Sequence, residues 1–146
     1  MERKQFIKTC GFACLGATTL SMVLNSCANA NYFAKSAIDN NQIIVKKSEF
    51  IKTEKNRQTQ RHYVLVKSER LSFPICVYKI DEENYTALFM ECTHKGCELK
   101  PQANYLVCPC HGSEFTNKGE VQNPPAEENL KTFILKTDHE NLYIQL

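Results

Sequence analysis

Two short segments that combine cysteine, histidine and glycine constrain this chain more than any other feature of its sequence. They read Cys92-Thr93-His94-Lys95-Gly96-Cys97 and Cys108-Pro109-Cys110-His111-Gly112-Ser113, and they hold four of the eight cysteines and two of the four histidines. Each segment offers a thiolate and an imidazole. Two such loops brought together supply two sulfur and two nitrogen donors, a set that suits Zn²⁺ or an iron-sulfur centre.

The spacing of these donors favours an iron-sulfur centre over zinc. A zinc module normally pairs Cys with Cys in one loop and His with His in the other. Here both loops are mixed, and each contains a further cysteine, Cys97 or Cys110, for which a four-coordinate zinc ion has no use. A structural zinc module remains as the remote alternative, and it predicts a colourless protein.

The rest of the chain predicts short strands. β-branched and aromatic runs cover residues 43–45, 62–66, 75–80, 85–90, 133–135 and 142–144, each bounded by charged or turn-forming residues. The polar segments 81–84 and 138–141 are predicted hairpin turns. No apolar stripe with a helical period extends beyond about two turns in this part of the chain. The sequence therefore predicts an all-β, mostly antiparallel domain over residues 42–146.

The two Cys/His segments resemble the C-T-H-x-G-C and C-P-C-H-G-S boxes of Rieske [2Fe-2S] proteins and match both in full. The resemblance covers residues 92–115 directly. It extends more loosely to residues 119–126, where Pro124-Pro125 is similar to the proline-bearing loop that covers the cluster. It implies a Rieske-type antiparallel β sandwich with two cluster-binding loops, and a [2Fe-2S] cluster in which His replaces Cys on one iron.

The resemblance also assigns roles to individual residues. It implies that Cys92 and Cys108 are thiolate ligands, that His94 and His111 are imidazole ligands, and that Cys97 and Cys110 form a disulfide between the loops. The fifth cysteine of the predicted domain, Cys76, lies in an apolar run and is predicted to be a buried core thiol. His62 and His139 lack motif partners and are predicted to be surface residues.

Four further residues are expected to surround the cluster: Gly112, Ser113, Phe115 and Pro124. By resemblance, the Ser113 hydroxyl donates to a bridging sulfide, which raises the reduction potential. Phe115 stands where high-potential members often carry Tyr, so that contribution is missing. We therefore expect a potential between the ferredoxin-like and the quinol-oxidising extremes. Lys95 stands where quinol-oxidising members usually carry an apolar residue, and two interpretations of it have equal weight: a residue that steers an acidic partner, and an ordinary exposed lysine.

The first 27 residues read as an export signal. The apolar run 10–24 is shorter than the roughly 20 residues that a spanning helix needs. Arg3-Lys4 is similar to a twin-arginine signal, and residues 24–27 resemble a lipobox that ends at a lipidated Cys27. Residues 28–41 are predicted to be a tether. The alternatives are an uncleaved membrane anchor and a cytoplasmic protein with an apolar N-terminal helix.

The predicted function is one-electron transfer by a membrane-tethered carrier or redox subunit on the extracytoplasmic, periplasmic side, where a disulfide can persist. Such a protein is not a catalyst by itself. Its expected partner is a cytochrome, a molybdenum oxidase subunit or a quinol-oxidising complex. The alternatives are the iron-sulfur subunit of a quinol-cytochrome c reductase and the small subunit of an arsenite oxidase-type enzyme. A formal charge of +2 argues against a nucleic-acid partner.

Overall fold

The computed structural model describes residues 31–146. The predicted signal peptide, with its twin-arginine-like motif and the lipobox-like segment that ends at Cys27, lies outside the described residues. Within residues 31–146, we find no helix with the length and apolar character needed to cross a membrane.

The described residues form thirteen strands and one short 3-10 helix. In chain order the strands are β1 (Ser36–Asp39), β2 (Gln42–Lys46), β3 (Ile51–Glu54), β4 (Arg57–Gln60), β5 (Tyr63–Val66), β6 (Ile75–Lys79), β7 (Tyr85–Phe89), β8 (Lys100–Pro101), β9 (Tyr105–Val107), β10 (Glu114–Thr116), β11 (Val121–Asn123), β12 (Leu135–Thr137) and β13 (Asn141–Gln145). The 3-10 helix, Lys47–Phe50, lies between β2 and β3. All paired strands are antiparallel, so the predicted fold class is confirmed.

Four sheets make up the domain. An outer sheet has the order β1-β2-β13-β12, a central sheet has the order β5-β6-β7, and a small sheet has the order β11-β10-β9-β8. Strands β3 and β4 form a separate hairpin. The two candidate ligand loops connect β7 to β8 and β9 to β10, so the small sheet and the end of the central sheet hold the site between them.

The central sheet is buried on both faces, and this explains why its strands are nearly continuous apolar runs. Because successive side chains in a strand point to opposite faces, Val64, Val77 and Ala87 pack into one core together with the outer sheet. Leu65 and Cys76 pack into a second core together with the small sheet. The domain thus has three layers, and the ligand loops lie on the second core.

Both predicted hairpin turns are present, and an aspartate organises each of them. Asp81 Oδ1 accepts hydrogen bonds from the backbone N–H groups of Glu83 and Asn84, at 2.9 Å each. Asp138 Oδ1 accepts in the same way from Glu140 and Asn141, at 2.8 and 2.6 Å. Side-chain hydrogen bonds, from the Asn84 amide to Asp81 and from the Tyr143 hydroxyl to Asp138, act with these backbone bonds to hold the pKa values of both aspartates below their usual range. The turns were predictable because the stabilising contacts are local in sequence.

The folded domain begins earlier than predicted, which corrects the tether prediction for residues 31–41. The backbone around Phe33 pairs with β5, through bonds from Leu65 N–H to Tyr32 O (2.9 Å) and from Ala34 N–H to Leu65 O (2.8 Å). Strand β1 then pairs with β2 along its whole length. All four side chains of β1 are exposed, so it has no apolar alternation by which the sequence could reveal it. At the other end, β12 begins only at Leu135, so Phe133 and Ile134, which were predicted to belong to this strand, lie outside it.

Candidate metal centre

The first ligand loop, residues 92–97, is closed by two backbone hydrogen bonds. Cys92 N–H donates to Cys97 O at 2.9 Å, and Gly96 N–H donates to Cys92 O at 2.8 Å. Gly96 has a φ of 70°, a conformation that glycine adopts without strain. On the β-strand side of the loop, Glu91 and Glu98 form an isolated antiparallel bridge. The two ends of the loop therefore lie side by side.

The second ligand loop, residues 108–113, repeats this geometry. Cys108 N–H donates to Ser113 O at 2.8 Å, and Gly112 N–H donates to Cys108 O at 3.0 Å. Gly112 has a φ of 81°. In both loops a cysteine stands first, and a glycine of positive φ stands four residues later. The similarity that the sequence shows as two Cys/His boxes is therefore also a similarity of backbone conformation.

A disulfide joins the two loops. Cys97 and Cys110 are bonded, with their Cα atoms 6.6 Å apart. This confirms the predicted pair. The bond links the end of the first loop to the middle of the second, so the two loops are held side by side even though different strands carry them.

Each ligand loop also begins with a free, buried thiol. Cys92 and Cys108 are 2% and 1% exposed, and neither is disulfide-bonded. Burial raises the pKa of Cys92, as does the neighbouring Cys108 thiol, whereas backbone N–H groups of His94 and Lys95 donate to its sulfur and act in the opposite direction. Donors already directed at this sulfur favour a thiolate there once a positive metal is present.

The sulfur of Cys108 also lies close to the disulfide: one atom from each of Cys97, Cys108 and Cys110 falls within 4.8 Å of the other two. This trio is not a ligand set, because two of its sulfurs are bonded to each other. The free thiols suited to bind metal in these loops are those of Cys92 and Cys108.

The side chains of the two loop histidines lie against each other. The ring centroids of His94 and His111 are 5.0 Å apart, and the ring planes are nearly perpendicular at 84°. His111 is exposed and His94 is half-buried. His94 Nδ1 is the one buried side-chain nitrogen or oxygen atom in residues 31–146 that lacks a hydrogen-bond partner. A buried ring nitrogen without a partner is costly unless it has another ligand, so this atom fits a metal ligand.

A third loop, residues 123–128, is tied to both ligand loops. Thr93 Oγ1 donates to Glu128 O at 2.7 Å, which connects it to the first loop. The Asn123 side chain donates to Gly112 O at 3.2 Å, which connects it to the second. Thr93 and Asn123 were not singled out from the sequence. Both are short polar residues whose partners are backbone carbonyls, and neither partner is visible until the third loop is placed.

Ser113 makes the most buried of these connections. Its side chain is fully buried, and its Oγ accepts a hydrogen bond from Ala126 N–H at 2.9 Å. The hydroxyl proton of Ser113 is not used in this bond, so it remains available to donate. Pro124 and Pro125, joined by a cis peptide bond, precede Ala126 and are exposed. The predicted proline loop therefore lies against the second ligand loop.

Comparison with known proteins decides the family. The sequence pattern of the Rieske [2Fe-2S] domain matches residues 41–134, well over half of the chain. The protein belongs to the Rieske [2Fe-2S] family. Its cofactor is therefore a Rieske-type [2Fe-2S] cluster, which takes up and releases one electron at a time when bound. The two buried thiols and the two paired imidazoles, one with an unpartnered nitrogen, are the donor set such a cluster needs.

Individual relatives support this membership. Over 55 residues, the chain is 34% identical to the cytochrome b6-f complex iron-sulfur subunit of Prochlorococcus marinus (strain MIT 9303), which covers 36% of this chain and 31% of that protein. It is 40% identical over 55 residues to the ubiquinol-cytochrome c reductase iron-sulfur subunit of Rickettsia typhi (strain ATCC VR-144 / Wilmington), with the same coverage. The matches thus span about a third of these curated relatives.

A solved structure shows the same fold. The cyanobacterial plasma membrane Rieske protein PetC3 from Synechocystis PCC 6803 matches with a TM-score of 0.52 at 26% identity, over 58% of this chain and 87% of that one. The similarity covers most of that Rieske protein.

The small sheet of this Rieske domain is anchored to the central sheet by a tyrosine that was not predicted from the sequence. The buried Tyr78 of β6 donates its hydroxyl proton towards Tyr105 O at 2.7 Å and lies 3.0 Å from Gln102 O. Tyr105 belongs to β9 of the small sheet that carries the second ligand loop, and Gln102 lies in the connection between β8 and β9. In the same core, Phe115 on β10, which was predicted to neighbour the cluster, is fully buried.

The remaining cysteine and histidine predictions concern residues outside the ligand loops. Cys76 is buried and free, and His62 and His139 are exposed, as predicted.

Proposed function

We propose that this Rieske protein is a one-electron carrier, or the redox subunit of a larger complex, tethered to the extracytoplasmic face of a membrane. The observation that carries the proposal is the pair of ligand loops joined by the Cys97–Cys110 disulfide, which carry two buried free thiols and a histidine edge formed by the paired rings of His94 and His111. Electron transfer at such a site requires only that a redox partner approach the histidine edge. The protein acts as a relay and not as a catalyst by itself.

We assign the cluster ligands as follows. Cys92 and Cys108 hold the inner iron, because their sulfurs are buried against the second core. His94 and His111 hold the outer iron, because their rings meet at the surface, with His111 exposed. Neutral imidazoles make the cluster less negative than four thiolates would, so an electron is added more readily.

The four histidines of the chain provide a matched test of this assignment. We expect His94→Ala and His111→Ala to abolish the visible absorption of the cluster and to lower the bound iron. His62→Ala and His139→Ala should keep both at the wild-type level. Retention of a full cluster in either loop variant would remove that histidine from the ligand set.

The electron-transfer function is tested by potentiometry of the full-length protein in neutral detergent. We expect a single one-electron step, observed in the visible spectrum and reversible with mild oxidants. A protein with a full cluster that shows no reversible step would contradict the relay.

The extracytoplasmic location is supported by the disulfide, since such bonds persist outside the reducing cytoplasm. The N-terminal sequence supports it independently, because the apolar run 10–24 leads into a lipobox-like segment that ends at Cys27. We expect Cys27→Ser to move the protein from the membrane to the soluble fraction. Retention of that variant in the membrane would instead favour an uncleaved anchor.

The similarity to subunits named after the cytochrome b6-f complex and ubiquinol-cytochrome c reductase favours a second candidate, membership in a quinol-oxidising complex. The exposed Lys95 separates the two, because it puts a charge on the ligand loop where an apolar contact with a quinone is expected. Co-purification of this chain with a cytochrome b-type subunit would support the second candidate. Isolation as a single polypeptide would support the carrier.

A further inference from the structure

Charge is divided unevenly between the two parts of this domain. Residues 91–130, which carry the three loops and the small sheet, are called the cluster end here. The cluster end contains the six carboxylates Glu91, Glu98, Glu114, Glu120, Glu127 and Glu128, against only Lys95, Lys100 and Lys118. The other described residues, 31–90 and 131–146, are called the base, and they contain twelve Lys and Arg against nine Asp and Glu. The cluster end therefore has a formal charge of −3 and the base has +3, although their sum is zero.

The carboxylates of the cluster end lie at the loops themselves. Glu91 and Glu98 face each other across the bridge that closes the first ligand loop. Glu114 directly follows the second ligand loop, and Glu127 and Glu128 lie in the third. The backbone of Glu128 accepts the hydrogen bond from Thr93, so this residue is held beside the first ligand loop.

No ion pair neutralises these carboxylates within the described residues. The two ion pairs found there, Lys52–Glu54 and Lys79–Glu82, both belong to the base. Four of the six glutamates are exposed and two are half-buried. Lys95 is also exposed, but it is the single lysine or arginine in the three loops, and the carboxylates of the cluster end outnumber it. Reduction of the cluster adds one more negative charge at the same end.

We propose that the partner that exchanges electrons at the histidine edge is a redox protein with a basic face. This inference rests on the proposed function, in which electrons leave the protein at His94 and His111. The negative charge of the cluster end around these histidines then favours a partner of opposite charge. Opposite charge raises the encounter rate and like charge lowers it. A partner with a basic face also revises the interpretation of Lys95 as a residue that steers an acidic partner, because the surrounding carboxylates outnumber this lysine.

Small oxidants of opposite charge test the inference without the natural partner. The reduced full-length protein, in neutral detergent, is mixed with tris(phenanthroline)cobalt(III), a trivalent cation, or with hexacyanoferrate(III), a trivalent anion. One electron passes from the protein to the metal complex, Co(III) becomes Co(II) or Fe(III) becomes Fe(II), and no bond forms or breaks. The second-order rate is measured between about 0.01 and about 0.5 M ionic strength.

We expect salt to slow the reaction with the cation by about five- to tenfold and to speed the reaction with the anion by a similar factor. Glu127→Gln/Glu128→Gln should roughly halve the salt slope with the cation on a logarithmic scale. The control Glu82→Gln/Glu83→Gln removes two neighbouring carboxylates from the base and should leave that slope unchanged.

Reversed signs would overturn the proposal in favour of an acidic partner. Rates independent of salt would overturn it in favour of a partner chosen without charge. Equal effects of the two double variants would overturn the assignment to the cluster end. The proposed function fails in a different way, since a protein without a reversible one-electron step gives no reaction with either oxidant.

Discussion

Ser113 shows how a single side chain can set both the shape and the electronics of the site. Its buried Oγ accepts a hydrogen bond from Ala126 N–H and keeps its own proton free, so it fixes the third loop while it can still donate. The sequence predicted the donating role by resemblance. The accepting role was not predictable, because it depends on the position of the third loop.

We expect Ser113→Ala to lower the reduction potential. The potential changes by the amount by which the hydrogen bond is stronger in the reduced state; since a hydrogen bond to a charged acceptor contributes about 1.5–3 kcal/mol in all, the shift is at most about 65–130 mV for a one-electron couple. Film voltammetry of the variant measures the shift. Ser68→Ala is the control, since Ser68 is also a buried serine whose Oγ accepts a backbone N–H but lies away from the loops. An unchanged potential in Ser113→Ala would show that its hydroxyl does not act on the cluster.

Phe115 gives the complementary prediction. It is fully buried on β10, two positions after Ser113, and a hydroxyl introduced there must find an acceptor or remain unsatisfied. We expect Phe115→Tyr to raise the reduction potential, because a ligand sulfur would provide that acceptor. Phe133→Tyr, in the other core, is the matched control and should leave the potential unchanged. A potential in Phe115→Tyr equal to that of the wild type would contradict this account.

At the scale of elements, the disulfide is the strongest constraint on the ligand loops. It closes a segment with a sequence separation of 13 residues. A closed loop of this length stabilises a fold by about 3 kcal/mol in the chain-entropy description. We expect Cys97→Ala/Cys110→Ala to lose its visible absorption much faster than the wild type at a fixed guanidinium concentration.

The control for this experiment is Cys76→Ala. It removes a cysteine that is buried but neither bonded nor part of a ligand loop. If the loss of a thiol by itself speeds the loss of visible absorption, this variant shows the same increase in rate. Equal bleaching rates of the double variant and this control would show that the disulfide does not hold the cluster in place.

Elements were predictable where their determinants are local. The central strands are long apolar runs, and the hairpin turns are organised by an aspartate within the turn, so both follow from the sequence. Strand β1 and the β3–β4 hairpin were missed because their side chains are exposed throughout. Each of these strands pairs with the next strand in the chain, but side chains exposed on both faces leave no alternation of apolar and polar residues by which the pair could be recognised.

At the scale of the whole molecule, the central sheet lies between two hydrophobic cores that have different roles. One core packs the outer sheet, and the other supports the ligand loops. The sequence predicted the site better than the architecture around it, because the Cys/His boxes are compact and specific while the layers depend on contacts between remote strands. The division of charge between base and cluster end became meaningful only when the loops were placed together.

The central claim, a cluster held by two histidines and two cysteines, is tested most directly by electron paramagnetic resonance of the full-length protein. The protein is measured oxidised and again after reduction with dithionite, together with its visible spectrum. We predict a red-brown protein that is silent when oxidised and gives, when reduced, a rhombic signal whose average g lies below the free-electron value. A colourless protein that stays silent after iron-sulfur reconstitution and contains stoichiometric zinc would contradict the account.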